Sequence, residues 1–262
     1  MEETTLRKKL TGFHLKIIAI VTMFIDHIGA AVLEKILASQ NAALISNFNT
    51  LVWADRILRS IGRLAFPIFC FLLVEGFIHT SNRKKYILRM GIFALASEIP
   101  FDMAFFNTPI YVKYQNVFFT LFIGLVAMQL MEYIQKRSDM LDAIGNVFIQ
   151  GIERKLIILI GLIPAIIGII LANLIQCDYS GIGVLLILIL YWFREKTLQQ
   201  CVWGGLYAVF ILAEMWAWPA FILLFLYNGE RGQKMNKYVF YAFYPMHLCV
   251  LIGIRYVIFT FM

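Results

Sequence analysis

The sequence predicts an all-α, polytopic transmembrane helical bundle of about nine spans with a cytoplasmic N-terminus. Three observations carry that expectation. Of 262 residues, 61% are hydrophobic and only 15% charged, whereas soluble domains are about a quarter charged; the mean hydropathy is +0.78. Apolar runs recur from end to end, with none of the short alternating segments of a barrel. Lysine and arginine gather in alternate connections between those runs.

The apolar segments, in order, are about 14–37, 57–79, 85–105, 116–134, 156–176, 180–193, 198–214, 217–228 and 238–261. Several fall short of the roughly 20 residues of a full span. The pair around Trp216 to Pro219 reads equally as one broken helix, so eight to ten spans fit. The first run is too long for the core of a signal peptide and is followed by further spans, so it is expected to stay in the protein. The mixed stretch 139–152 suits a membrane interface. With the N-terminus inside, one side receives 17 of the 23 lysines and arginines: Arg7, Lys8, Lys9, Lys16, Arg83, Lys84, Lys85, Arg89, Lys136, Arg137, Arg154, Lys155, Arg194, Lys196, Arg231, Lys234 and Lys237. The other side has Lys35, Arg56, Arg59, Arg63, Lys113 and Arg255. Nine spans then leave the C-terminus outside. The net charge of +7 is thereby a topology signal, and no nucleic-acid partner is expected. The whole chain, 1–262, reads as a single multi-pass transmembrane domain of a plasma (cytoplasmic) membrane.

Several functional classes find no support. There is no Walker loop, no GxSxG and no HExxH. The four cysteines show no CxxC spacing, which argues against a zinc site or a disulfide framework, and no metal is expected. Two inverted halves with matching broken helices, the mark of many transporters, are not evident.

The informative residues are the polar ones inside apolar runs. A charge at the centre of a span costs at least about 2.5–3.5 kcal/mol, so each one is a functional candidate. Asp26 and His27 sit in the middle of the first run. Arg63 opens the second run and Glu75 lies in its later half. Glu98 and Asp102 are four apart and share a helix face. Asn116 starts the fourth run, Glu214 ends the seventh, and Tyr241, Tyr244 and His247 share a face of the last. Such groups coexist only if they face one another or a wet cavity. A polar cavity lined by the first, second, third and last spans is therefore expected.

Each candidate also has a plainer reading. Asp26 and His27 point about 100° apart on a helix, so Asp26 pairs either with His27 or with a basic group elsewhere, Arg63 being a candidate; Arg63 equally suits the outer interface. Glu75 and His79 are spaced to pair with each other. Glu98 and Asp102 suit neutralisation of arginines, and His247 suits repair of the kink at Pro245. The cluster Arg83, Lys84, Lys85 and Arg89 serves either as a topological anchor or as a grip on phosphates. His14 reads as interfacial.

Six stretches in order, "LKIIAIVTMFIDHIGA", "IGRLAFPIFCFLLVEGFIHT", "SEIPFD", "QNVFFTL", "CDYSGIGVLL" and "FYPMHL", span nearly the whole chain. Together they resemble the TraX family of integral membrane proteins, named for the protein linked to N-terminal acetylation of conjugative pilin. That family is similar to a wider group of membrane acyltransferases. The resemblance implies acyl transfer from acetyl-CoA on the cytosolic side to a peptide or glycan acceptor on the other. A first-span histidine is the catalytic group there, which places the role on His27 with Asp26 beside it. The arginine and histidine ten residues apart found in related O-acyltransferases have no counterpart around Arg63 and His79, so that motif is not carried over. Acyl transfer needs a base or a nucleophile, and His27 suits both. Asn116, Tyr244 and Arg63 are candidate oxyanion donors, and Arg83, Lys84, Lys85 and Arg89 are candidates for the phosphates of CoA. Glu75, Glu98, Asp102 and His247 complete the candidate substrate site. The alternative reading is a proton-coupled transporter of a small molecule, with Asp26, His27, Glu98 and Asp102 as its relay.

Overall fold

A computed structural model describes residues 9–39, 47–142 and 150–261. Its helices are α1 (Gly12–Ile28), a π-helical turn (Gly29–Leu33), α2 (Glu34–Ser39), α3 (Phe48–Gly62), α4 (Ala65–His79), α5 (Arg83–Ala96), α6 (Glu98–Phe105), α7 (Val117–Asp142), α8 (Gln150–Leu174), α9 (Ser180–Trp192), α10 (Thr197–Phe210), a 3-10 turn (Met215–Ala217), α11 (Trp218–Phe225) and α12 (Lys237–Phe261). No strand occurs among the described residues. The protein is thus an all-helical bundle. Among the described residues, four stretches are long and apolar enough to cross a membrane: Gly12–Ser39, Phe48–His79, Val117–Arg137 and Tyr238–Phe261. Shorter apolar helices cover Leu159–Leu174, Ser180–Trp192 and Met215–Phe225.

Prolines set the breaks within the long runs. A proline lacks the N–H that would bond to the carbonyl four residues earlier. Pro67 stands four residues after Arg63, where α3 gives way to α4. Pro100 stands four after Ala96, where α5 ends, so the expected 85–105 span is two helices meeting at Ser97. Pro219 lies in the first turn of α11, where a missing N–H is harmless. The second run also starts earlier than expected, at Phe48 rather than 57. Half of the mixed stretch expected at the interface, 143–149, lies outside the described residues, as do Arg7 and Lys8; α7 runs on through Asp142 and α8 begins at Gln150.

The centre of the bundle is α4 packed on α9. Both are apolar around their circumference, as buried helices are; Ile68, Val74, Phe77, Val184, Ile187 and Leu190 are fully enclosed. The outer helices keep one apolar face exposed, seen in Ile163, Ile166, Ile170 and Leu174 of α8, a face suited to lipid.

Long-range contacts fix which helix ends share a level. At one end, here the lower, Gly12 N donates to Glu230 O (2.8 Å) and Phe13 N to Arg231 O (3.0 Å), while Arg83 meets Glu132 at 2.7 Å. Near the end of α1, Asp26 meets Arg59 of α3, and Arg63 beside it meets Glu214 at 2.7 Å. The ends of α8 and α10 and the starts of α7 and α9 gather near this level, since Phe66 stacks on Tyr179 at 3.6 Å and Tyr114 donates to Asp178 at 3.0 Å. Among the described residues, α1–α2, α3, α6 and α12 continue above it. There Arg255 of α12 donates to the last carbonyls of α6, Met103 O (2.8 Å) and Ala104 O (2.5 Å), and to Ala31 O (3.2 Å) of the π turn. Lys35 donates to Phe105 O at 2.5 Å. These are the carbonyls that a helix end and a π turn leave without a backbone donor.

Candidate functional site

His27 sits near the end of α1, two residues before the π turn, a departure from α geometry common at functional sites. Its Nδ1 lies 2.6 Å from Nε2 of His247 on α12. The two ring planes are 9° apart with centroids separated by 4.9 Å, so the rings meet edge to edge. His247 Nδ1 lies 2.7 Å from the Phe243 carbonyl one turn earlier, and the residue is 4% exposed. Aromatic rings enclose the pair: Phe105 and Tyr244 against His27, Phe24 and Phe243 against His247.

Asp26 points elsewhere, as adjacent helical residues must. Its partner is Arg59, one turn before Arg63, the partner first considered. Arg59 also reaches Glu34 through Nε at 3.2 Å. The helices approach closely here because Gly62 faces Asp26: a β-carbon at 62 would overlap the aspartate side chain. Next to this pair lie Arg63–Glu214 and, from the loop after α8, Asp178 with Tyr179. Asp26 Oδ1 and Glu214 Oε2 are enclosed without a hydrogen-bond partner among the described residues. Tyr179, Ser180 and Ala213 all take positive φ (62°, 45° and 54°), conformations that non-glycine residues hold only where the surroundings enforce them.

A cavity of 800 Å³ opens at the lower end. It runs along α4 from His79 to Phe69, roughly 15 Å of helix, between α1, α4, α5, α7 and α12. Lys16, Lys85, Arg89 and Arg231 line it, opposed by Glu75 and His79. Glu75 accepts from Tyr227 Oη at 3.1 Å. Arg89 leaves Nε without a partner among the described residues. The floor is aromatic, with Phe69, Phe118, Phe240 and Tyr241. Tyr244 packs on Phe118 at 5.0 Å and on His27 at 5.8 Å. One ring therefore links the cavity floor to the histidine pair.

The residues expected at the site are dispersed by the fold. His27, His247 and Tyr244 come together, and Glu75, Lys85 and Arg89 line the cavity. Asp26 and Arg63 belong to the charged cluster beside the pair. Arg83 is held elsewhere: it meets Glu132 at 2.7 Å and covers the Phe77 ring at 4.3 Å. Lys84 is exposed and outside the cavity lining. Glu98, Asp102 and Asn116 brace the 106–116 connection. Asn116 Nδ2 donates to Glu98 (2.7 Å) and to Ala94 O (2.8 Å), its Oδ1 caps the Phe118 N–H (2.9 Å), and Asp102 accepts from Tyr111 N (2.7 Å). Both amide donors of Asn116 are thus engaged. Sequence reasoning missed Arg59, Lys16 and Arg231 as site residues. Arg59 had a visible signal, its four-residue spacing from Arg63. Lys16 and Arg231 figured only as topological charge.

Membrane-length apolar helices packed around buried, hydrogen-bonded ionisable side chains mark an integral membrane protein. The chain belongs to the TraX family: the family model described as TraX protein matches residues 11–255. It is also similar to a Dichelobacter nodosus protein described as probable fimbrial assembly protein FimC, serogroup H1, with 27% identity over 267 residues, covering 92% of this chain and 94% of that one. No solved structure matches.

Proposed function

We propose that this protein is a membrane acyltransferase that moves an acetyl group from cytosolic acetyl-CoA to an amine or hydroxyl at the outer face, on a pilin-like peptide N-terminus or a surface glycan. One observation carries the reading: the cavity with a cationic mouth is lined at its inner end by Phe118, which packs on Tyr244, the ring that touches His27. In this reading the lower end is cytoplasmic, the nine apolar segments form one domain in the plasma membrane, and the N-terminus lies inside. Lys16, Lys85 and Arg231 suit the phosphates of the donor, Arg89 offers its unpartnered Nε, and the aromatic floor suits the thioester end. The donor supplies an activated acyl group. His27 acts as base or nucleophile, with Tyr244 and Arg63 available to the developing oxyanion. The unpartnered oxygens of Asp26 and Glu214 favour an amine acceptor, and a peptide acceptor is in keeping with the fimbrial assembly named for the relative.

The test is calorimetric binding of acetyl-CoA to detergent-purified protein, followed by an assay of thioester loss. Lys85→Gln with Arg89→Gln is expected to weaken binding at least about tenfold, since charge-assisted hydrogen bonds contribute about 1.5–3 kcal/mol each. Lys84→Gln is expected to leave it unchanged, and His27→Ala to bind without turnover. A folded wild type that fails to bind would overturn the reading and favour a proton-coupled transporter, with proton flux in vesicles as the next measurement.

A further inference from the structure

We propose that His247 is a positioning residue that locks His27 in its Nδ1–H tautomer, so that Nε2 of His27 is the reacting atom. The inference rests on the acyltransferase reading for its chemistry, but its geometry stands alone. The Phe243 carbonyl can only accept, so His247 Nδ1, 2.7 Å away, carries a proton. A neutral imidazole has one N–H, which leaves His247 Nε2 as an acceptor. His27 Nδ1, 2.6 Å from that nitrogen, must then be the donor, and its own Nε2 is bare.

The other assignment makes His247 a cation donating from both nitrogens. That would place a charge on a ring 4% exposed and packed by Phe24, Phe243 and Tyr244. No carboxylate bonds to either ring among the described residues, so burial opposes it. The backbone carbonyl therefore sets the tautomer of the second ring, and the second ring sets that of the first. This is the orienting role a third group plays for a catalytic base. His27 Nε2 takes the proton the acceptor loses as its nitrogen or oxygen bonds to the acyl carbon, and returns it to sulfur as the C–S bond breaks. During that interval His247 Nε2 shares the Nδ1 proton of the charged ring.

The deciding measurement is nitrogen NMR of protein carrying ¹⁵N-labelled histidine in nanodiscs. The chain has four histidines, and loss of one set of signals in His27→Ala assigns residue 27. The expected wild-type spectrum has Nδ1 protonated and Nε2 bare. His247→Met should abolish that signature and lower turnover on the order of 10²–10⁴-fold, the scale of a wrong tautomer or a lost orienting group, with acetyl-CoA affinity unchanged. His247→Gln, whose amide oxygen can accept from Nδ1–H, should keep the signature and stay within about tenfold of wild-type turnover. An Nε2–H tautomer in wild type, or the same signature in His247→Met, overturns the proposal. Absence of thioester loss with the expected spectrum would instead count against the acyltransferase reading.

Discussion

Arg59 and Arg63 lie one turn apart, yet they answer carboxylates from different elements: Asp26 and Glu34 for the first, Glu214 for the second. The spacing is legible in the sequence; the partners are not, because they depend on how α1, α3 and the turn after α10 pack. The same limit applies to the Asp26–His27 doublet, where neighbours in sequence face different neighbours in space. In the basic cluster, sequence proximity joined four residues that the fold separates into Lys85 and Arg89 in the cavity, Arg83 on Glu132, and Lys84 outside. The ion pair is testable by itself. Arg59→Met leaves a half-buried aspartate without its cation, and removing one partner of a buried pair costs about 3–5 kcal/mol. Thermal unfolding in detergent should show that loss, and Asp26→Asn added to Arg59→Met should restore most of it. An unchanged midpoint for the single variant would mean the pair contributes nothing.

At the scale of elements, apolar runs located the helices well and their ends poorly. The reason lies in the prolines. Hydropathy passes smoothly through Arg63–Pro67 and Ala96–Pro100, but the hydrogen-bond ladder does not. The π turn at Gly29–Leu33 was not visible either, since no residue preference marks it; its freed carbonyl is recognised only through Arg255. Contact between α1 and α3 depends on Gly62. Gly62→Leu is expected to destabilise the protein by about 1–3 kcal/mol, the usual cost of overpacking. Gly161 of α8 is the control, because a β-carbon there meets no heavy atom within 4 Å. Gly161→Ala should stay within about 1 kcal/mol of wild type, on the stabilising side. Equal midpoints for the two variants would contradict the close approach.

At the scale of the molecule, the sequence foretold an all-helical membrane bundle, but the cavity between its early helices and its last takes in Glu75 and Tyr241 and leaves out Asp26, His27, Glu98, Asp102 and His247, which were expected to line it. It misjudged much of the cavity's lining, because a lysine at a helix end is equally an anchor or a ligand until the neighbouring loop is placed. Lys16 and Arg231 show this: they come to the same mouth because the 226–232 segment caps α1 through Glu230 and Arg231. The bundle is also uneven in height. α9, α10 and α11 have 13, 14 and 8 residues, about 20, 21 and 12 Å of helix, against roughly 30 Å of hydrocarbon. Their upper ends stop at the Arg63 level, in irregular backbone that at such depth must line protein or water. From the cavity lining at Phe69 to the start of α4 at Ala65 is four residues of helix, roughly 6 Å, and Arg63 lies in the turn just beyond. If the proposed orientation holds and water also reaches the upper ends of these short helices, a membrane voltage would fall largely across that thin septum, with His27 inside it. A unit charge crossing the full drop exchanges about 2.3 kcal/mol per 100 mV. Turnover in sealed vesicles should respond to the sign of an imposed potassium diffusion potential, and an enzyme indifferent to it would place the histidines outside the field. The missing upper third of these helices would thus make the reaction electrically addressable.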